Sequence, residues 1–125
     1  MLLKTASEKF SRTLVQEQEI LMNLSDSIIQ LYAAESVLLR VKKMQSLKSE
    51  DQFKVYQDIL DVFVYTAAAN IRNYVRDAAY SFAFGEVREL LEKGIERYTQ
   101  VAGINVKEAR RRIADLLIDE NRYCF

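Results

Sequence analysis

Apolar positions recur along this chain at steps of three and four, the spacing of a helix with one greasy face, and no stretch reads as a strand. The first such stretch, roughly 3–22, places Ala6, Phe10, Leu14 and Leu21 on one side. Ser25 in "LSDSIIQLYAAESVLLRVKKM" is an N-cap residue type, and Asp26 falls in the first turn, where the helix dipole favours an anion. The pattern therefore predicts a second helix from there to about Met44. Ile28, Ile29, Leu31, Ala33, Val37, Leu38, Leu39 and Val41 lie nearly all round it. A helix apolar on every side is expected to be an inner one.

After the connection "SLKSEDQF", Ser49 followed three residues later by Gln52 fits a capping box. A third helix is predicted from Glu50 to about Ala83, some ~50 Å at 1.5 Å per residue. Tyr56, Leu60, Phe63, Ala67, Ile71, Tyr74, Ala78 and Phe82 form its apolar face, with Lys54, Asp58, Asp61, Arg72 and Arg76 expected opposite. Gly85 separates it from a fourth helix over about 86–101, expected to bury Val87, Leu90, Leu91, Ile95 and Tyr98. Gly94 within it suggests a close helix crossing, and Gly103 with Ile104 fits a C-terminal cap. Asn105 and Glu108 open a last helix with the stripe Val106, Ala109, Ile113, Leu116 and Leu117, running to the chain end. The prediction is all-α: an up-down bundle of four to five helices with one long central helix, in a single domain over residues 1–125.

Composition supports that reading, since proline and tryptophan are absent and there are only three glycines. Lys+Arg and Asp+Glu stand at 18 each. Zero net charge gives no general attraction to nucleic acid or acidic lipid, so no nucleic-acid partner is expected and charge does not support membrane association. The start "MLLKTASEKF" is not a signal peptide, and no apolar run approaches a membrane span. One cysteine, Cys124, makes no internal disulfide; a cytoplasmic setting is expected.

The absence of histidine excludes Glu-x-x-His di-iron sites, Ser-His triads and His-ligated zinc. The isolated glycines form no phosphate loop. Glu35, in the most apolar helix, reads either as a general base with a raised pKa or as half of a buried ion pair, and the pair is the reading preferred. "KEARRR" (107–112) reads as a solvated, internally paired face, with Arg111–Asp115 and Glu108–Arg112 at pairing distance along the helix. Tyr65 projects with the charged face of the third helix, as does Ala69, and points to a partner surface. Cys124 has no neighbour to activate it.

The ending "RRRIADLLIDENRYCF" resembles the extreme C-terminus of a group of bacterial acyl-CoA dehydrogenases, those with a helical domain appended to the catalytic body as in the very-long-chain type. The resemblance continues in "YAAESVLLRVKK", "VYTAAANIRNYVRDAAYSFAFGEVRELL" and "IERYTQVAGINVKEARRRIADLLI", from about residue 24 onward. It implies a parent flavoenzyme that uses FAD and a glutamate to desaturate an acyl-CoA thioester. The Tyr-Glu-Gly-Thr-like segment that carries that glutamate has no counterpart here, and Glu35 is not in such a context. The resemblance therefore implies an excised C-terminal domain, not catalytic by itself, with no catalytic, cofactor or metal residue and with FAD confined to the parent. Its implied role is structural, in a homo-oligomer, with the parent's catalytic domain as partner. Tyr65, Tyr123 and Phe125 are the candidate interface residues. The alternative is a free-standing helical protein–protein interaction module.

Overall fold

The computed structural model describes residues 1–122; Tyr123, Cys124 and Phe125 lie outside the described residues. It is an all-α bundle of five helices, with no strand among the described residues: α1 (Leu2–Phe10), α2 (Gln18–Gln45), α3 (Glu50–Phe82), α4 (Gly85–Tyr98) and α5 (Val106–Glu120), with a 3₁₀ segment at Ser11–Gln16. The chain forms two compact units. The first is Met1–Leu31 with Ala68–Gln100, the second Tyr32–Ala67 with Val101–Phe125.

The start of the chain departs from the single predicted helix. Ser11 takes φ 50° and ψ −119°, a conformation that ends α1. The chain then tightens into the 3₁₀ segment and leaves helical geometry at Glu17. This shifts the helical phase, because a 3₁₀ turn holds three residues and an α turn 3.6. Ile20, not Leu21, consequently takes the buried position, while Phe10 and Leu14 still pack on the core. Nor does Ser25 cap a helix. α2 is already under way, and the Ser25 hydroxyl donates to the Leu21 carbonyl at 2.8 Å, a back-bond that satisfies serine inside a helix.

In the first unit, Leu2 and Ala6 of α1 meet Ile20, Ala78, Ala79, Phe82, Ala83, Leu91 and Ile95 in one buried cluster. The alanines allow close backbone approach, and Phe10 packs edge-on against Phe82 at 5.7 Å between ring centres. Two cations meet the carbonyl end of α3, which has no basic residue in its own last turn. The Lys9 ammonium donates to the Phe82 carbonyl, and Arg88 Nε donates to Ala83 at 2.9 Å. Such cationic capping favours the negative end of the helix dipole. Gly85, at φ 55°, then lets the chain turn into α4.

Helix α4 ends at Tyr98, earlier than expected, so Gly103 is not its cap. Thr99 closes it instead. Its hydroxyl donates to the Ile95 carbonyl at 2.7 Å, while Arg72 donates to the Thr99 hydroxyl at 2.9 Å and its carbonyl at 3.0 Å. Arg72, placed on the solvent side by the sequence pattern, is thus a tie within the unit. The close approach at Gly94 comes from the Met1 side chain rather than a crossing helix.

The second unit holds a smaller cluster, Val41, Tyr56 and Leu60, flanked by Val37, Leu38, Met44, Phe53 and Val64. The Phe53 N–H donates to the Ser49 carbonyl at 2.8 Å, so α3 begins where the pattern placed it. Asn105 caps α5 as expected, its side chain accepting from the Glu108 N–H at 3.2 Å. α5 closes on Asn121 in the left-handed conformation, short of the chain end.

Candidate partner interface

The residues singled out for chemistry do not converge. Glu35 is exposed and has no ion pair among the described residues, so neither the buried general base nor the buried salt bridge stands. Its helix explains why. Ile28, Ile29, Leu31, Tyr32 and Leu39 of α2 are all exposed, so α2 is not sheathed on every side in this chain and burial never reaches Glu35.

The buried carboxylate is Asp58, at 8% exposure, which the apolar pattern placed on the solvent face. Arg112 of α5 reaches it with two parallel hydrogen bonds, Nε to Oδ2 at 2.7 Å and Nη2 to Oδ1 at 2.6 Å. The carboxylate stabilises the charged guanidinium, chiefly through that hydrogen bond, and pushes the Arg112 pKa above its ordinary value against the opposing effect of desolvation. The "KEARRR" run is therefore not a uniformly solvated face. Arg111 pairs with Glu108 at 2.9 Å rather than with Asp115, Lys107 reaches the same Glu108 at 3.2 Å, and Arg112 ties α5 to α3.

Each unit carries an apolar hollow among the described residues. In the second unit Tyr65, 41% exposed, edges a cleft of about 300 Å³ with Leu38, Leu60, Val64, Val101 and Ile104. Its one charged wall is Asp61, which accepts from the Gln57 amide at 2.8 Å. In the first unit a wider groove of about 440 Å³ is lined by Met1, Leu24, Ile28, Leu31, Val75 and Tyr98, among others. Val87, Leu90 and Tyr98, expected in the core, are exposed; only Leu91 and Ile95 of α4 are buried. Of the three interface candidates, only Tyr65 can be placed, because Tyr123 and Phe125 lie outside the described residues.

No buried side-chain nitrogen or oxygen among the described residues lacks a hydrogen-bond partner. No helix among the described residues is long and apolar enough to cross a membrane. What the fold offers is a helical bundle with exposed apolar surfaces.

Comparison with known proteins gives those surfaces a context. The family described as "Acyl-CoA dehydrogenase, C-terminal domain" matches residues 1–97. The "Probable acyl-CoA dehydrogenase" of Bacillus subtilis (strain 168) is 26% identical over 120 residues, which is 94% of this chain and 20% of that protein. The crystal structure of an acyl-CoA dehydrogenase complexed with FAD from Bacillus anthracis superposes on 100% of this chain with a TM-score of 0.92 and 26% identity, over 22% of its own length. The chain belongs to the acyl-CoA dehydrogenase C-terminal domain family. It spans about a fifth of the length of these two relatives. The family match starts at residue 1, ahead of the residue 24 from which the resemblance was read, and stops before "RRRIADLLIDENRYCF".

Proposed function

We propose that this chain is a non-catalytic structural and oligomerisation domain of a longer acyl-CoA dehydrogenase. In that protein the FAD, the catalytic glutamate and the thioester site belong to the remaining polypeptide, and the enzyme works in the cytoplasm. The observation that carries the reading is coverage: the whole chain superposes on a little over a fifth of the FAD-complexed structure from Bacillus anthracis. The exposed apolar side chains of α2 and α4 support it, since contiguous apolar surface on a helical domain marks a contact site. Tyr65, with Tyr123 and Phe125 at the chain end, forms part of that contact in the assembled enzyme.

Deleting residues 105–125 from the longer enzyme tests this. The deletion removes α5 and the Arg112 tie to Asp58. The expected result is a changed oligomer mass or a lowered melting temperature. An enzyme that kept both would contradict the structural role.

A further inference from the structure

The first unit's groove differs from the Tyr65 cleft in where the chain enters it. Met1 is both a lining residue of the groove and the N-cap of α1. Its carbonyl accepts from the Thr5 N–H at 3.1 Å and the Thr5 hydroxyl at 3.2 Å, and its side chain lies over Gly94. Any residue joined to the Met1 nitrogen starts about 3.8 Å, Cα to Cα, from the groove's own wall.

The lining fixes the chemistry of the occupant. No charged side chain faces the groove. Its two hydroxyls are already committed, Ser27 to the Asn23 carbonyl at 2.8 Å and Thr99 to the Ile95 carbonyl and Arg72. A polar or charged ligand would lose hydration there without finding a new partner. Apolar side chains, by contrast, would cover Ile28 and Leu31, each about 62% exposed, and Tyr98, 77% exposed.

We infer that this groove seats an apolar segment of the polypeptide that precedes Met1 in the longer protein, docking the C-terminal domain onto the body it belongs to. The inference rests on the reading that this chain is the C-terminal part of such a protein. Covalent connection favours that occupant over a second copy: a tethered segment works at an effective concentration on the order of millimolar, far above that of a separate chain. A Cβ at Gly94 would fall 2.1 Å from the Met1 terminal methyl, the far end of a flexible side chain that would have to shift along the groove wall.

Hydroxyl-radical footprinting of the longer polypeptide, read by mass spectrometry at Tyr98, Leu31 and Tyr65 against the 125-residue chain, tests the seat. Tyr98 and Leu31 should label roughly fivefold or more slowly in the longer protein, as expected for side chains inside a dry interface core. That protection should persist on dilution. Leu31→Asp should restore Tyr98 labelling in the longer protein while leaving the melting temperature of the 125-residue chain unchanged, since Leu31 is no part of its buried core. Protection that fades on dilution would identify a second copy and overturn the inference. Full labelling at Tyr98 with protection at Tyr65 would overturn the seat but leave domain docking intact. Full labelling at all three would overturn both.

Discussion

Arg112 and Asp58 face each other as a two-bond fork, yet they are unequally exposed: the Arg112 side chain keeps 45% of its surface open, while that of Asp58 keeps 11%. Parallel Arg–carboxylate pairing is directional as well as charged, so it fixes the rotation of α5 against α3 within the second unit.

The inequality predicts an asymmetry between mutants. Arg112→Met strands a buried carboxylate without its partner, whereas Asp58→Asn leaves a guanidinium that can turn to water. Denaturant midpoints should therefore fall further for Arg112→Met than for Asp58→Asn. Equal or reversed losses would show that stranding the buried carboxylate is not the costlier change.

Leu91 is buried almost completely, at 1% exposure, within the cluster that joins α1, α2, α3 and α4. Leu91→Ala should cost about 3 kcal/mol, the middle of the range for a leucine cavity. Leu90→Ala, one position earlier, removes a mostly exposed side chain and should stay within roughly 0.5 kcal/mol. Urea titrations of the two variants check the contrast.

Much of this was legible from spacing, and some of it could not be. The start and end of α3, the Asn105 cap and the division of α4 from α3 at Gly85 follow from residue types whose backbone preferences act locally. The interruption at Ser11 left no such mark, because neither glycine nor proline stands at the positive φ. Glu35 and Asp58 exchanged roles for a different reason. Periodicity tells which side of a helix is apolar, but not which element covers it. α2 carries more apolar surface than this chain buries, so Glu35 stays in water, while α5 covers the flank of α3 that bears Asp58. The Tyr65 cleft was foreshadowed by one exposed aromatic; the Met1 groove was not, since its lining comes from four separate stretches.

Ser11 offers a test of that turn. Its side chain is exposed, and its φ of 50° is one that glycine adopts without steric cost. Ser11→Gly should raise stability by up to about 1 kcal/mol, the relief of strain exceeding the entropy glycine adds to the unfolded chain. A lower melting temperature would show the turn to be unstrained.

Tyr80 provides a pH signature in the first unit. Its hydroxyl donates to the Glu92 carboxylate, and that hydrogen bond, with some desolvation and the charge of Glu92, raises the tyrosine pKa above its ordinary value; Arg76 and Arg88 oppose the shift. A pKa raised by folding means that the protonated form is favoured in the native state. The resulting stability is fully present below the ordinary tyrosine pKa of about 10 and is lost as pH rises through the raised value. Tyr80→Phe should melt slightly below the parent chain at neutral pH, and the gap should close above about pH 10. The pair is exposed and screened, so the gap should be small. A gap that stayed constant into alkaline solution would rule out the hydrogen bond as its source.

The central claim is that these helices support a flavoenzyme without holding its reactive centre. The most direct measurement is to incubate the purified 125-residue chain with FAD, remove free flavin by gel filtration, record the visible spectrum and then assay for oxidation of acyl-CoA thioesters. The protein should elute colourless and inert while retaining its helical circular dichroism. A flavin band travelling with the folded chain, or any thioester turnover, would contradict the account.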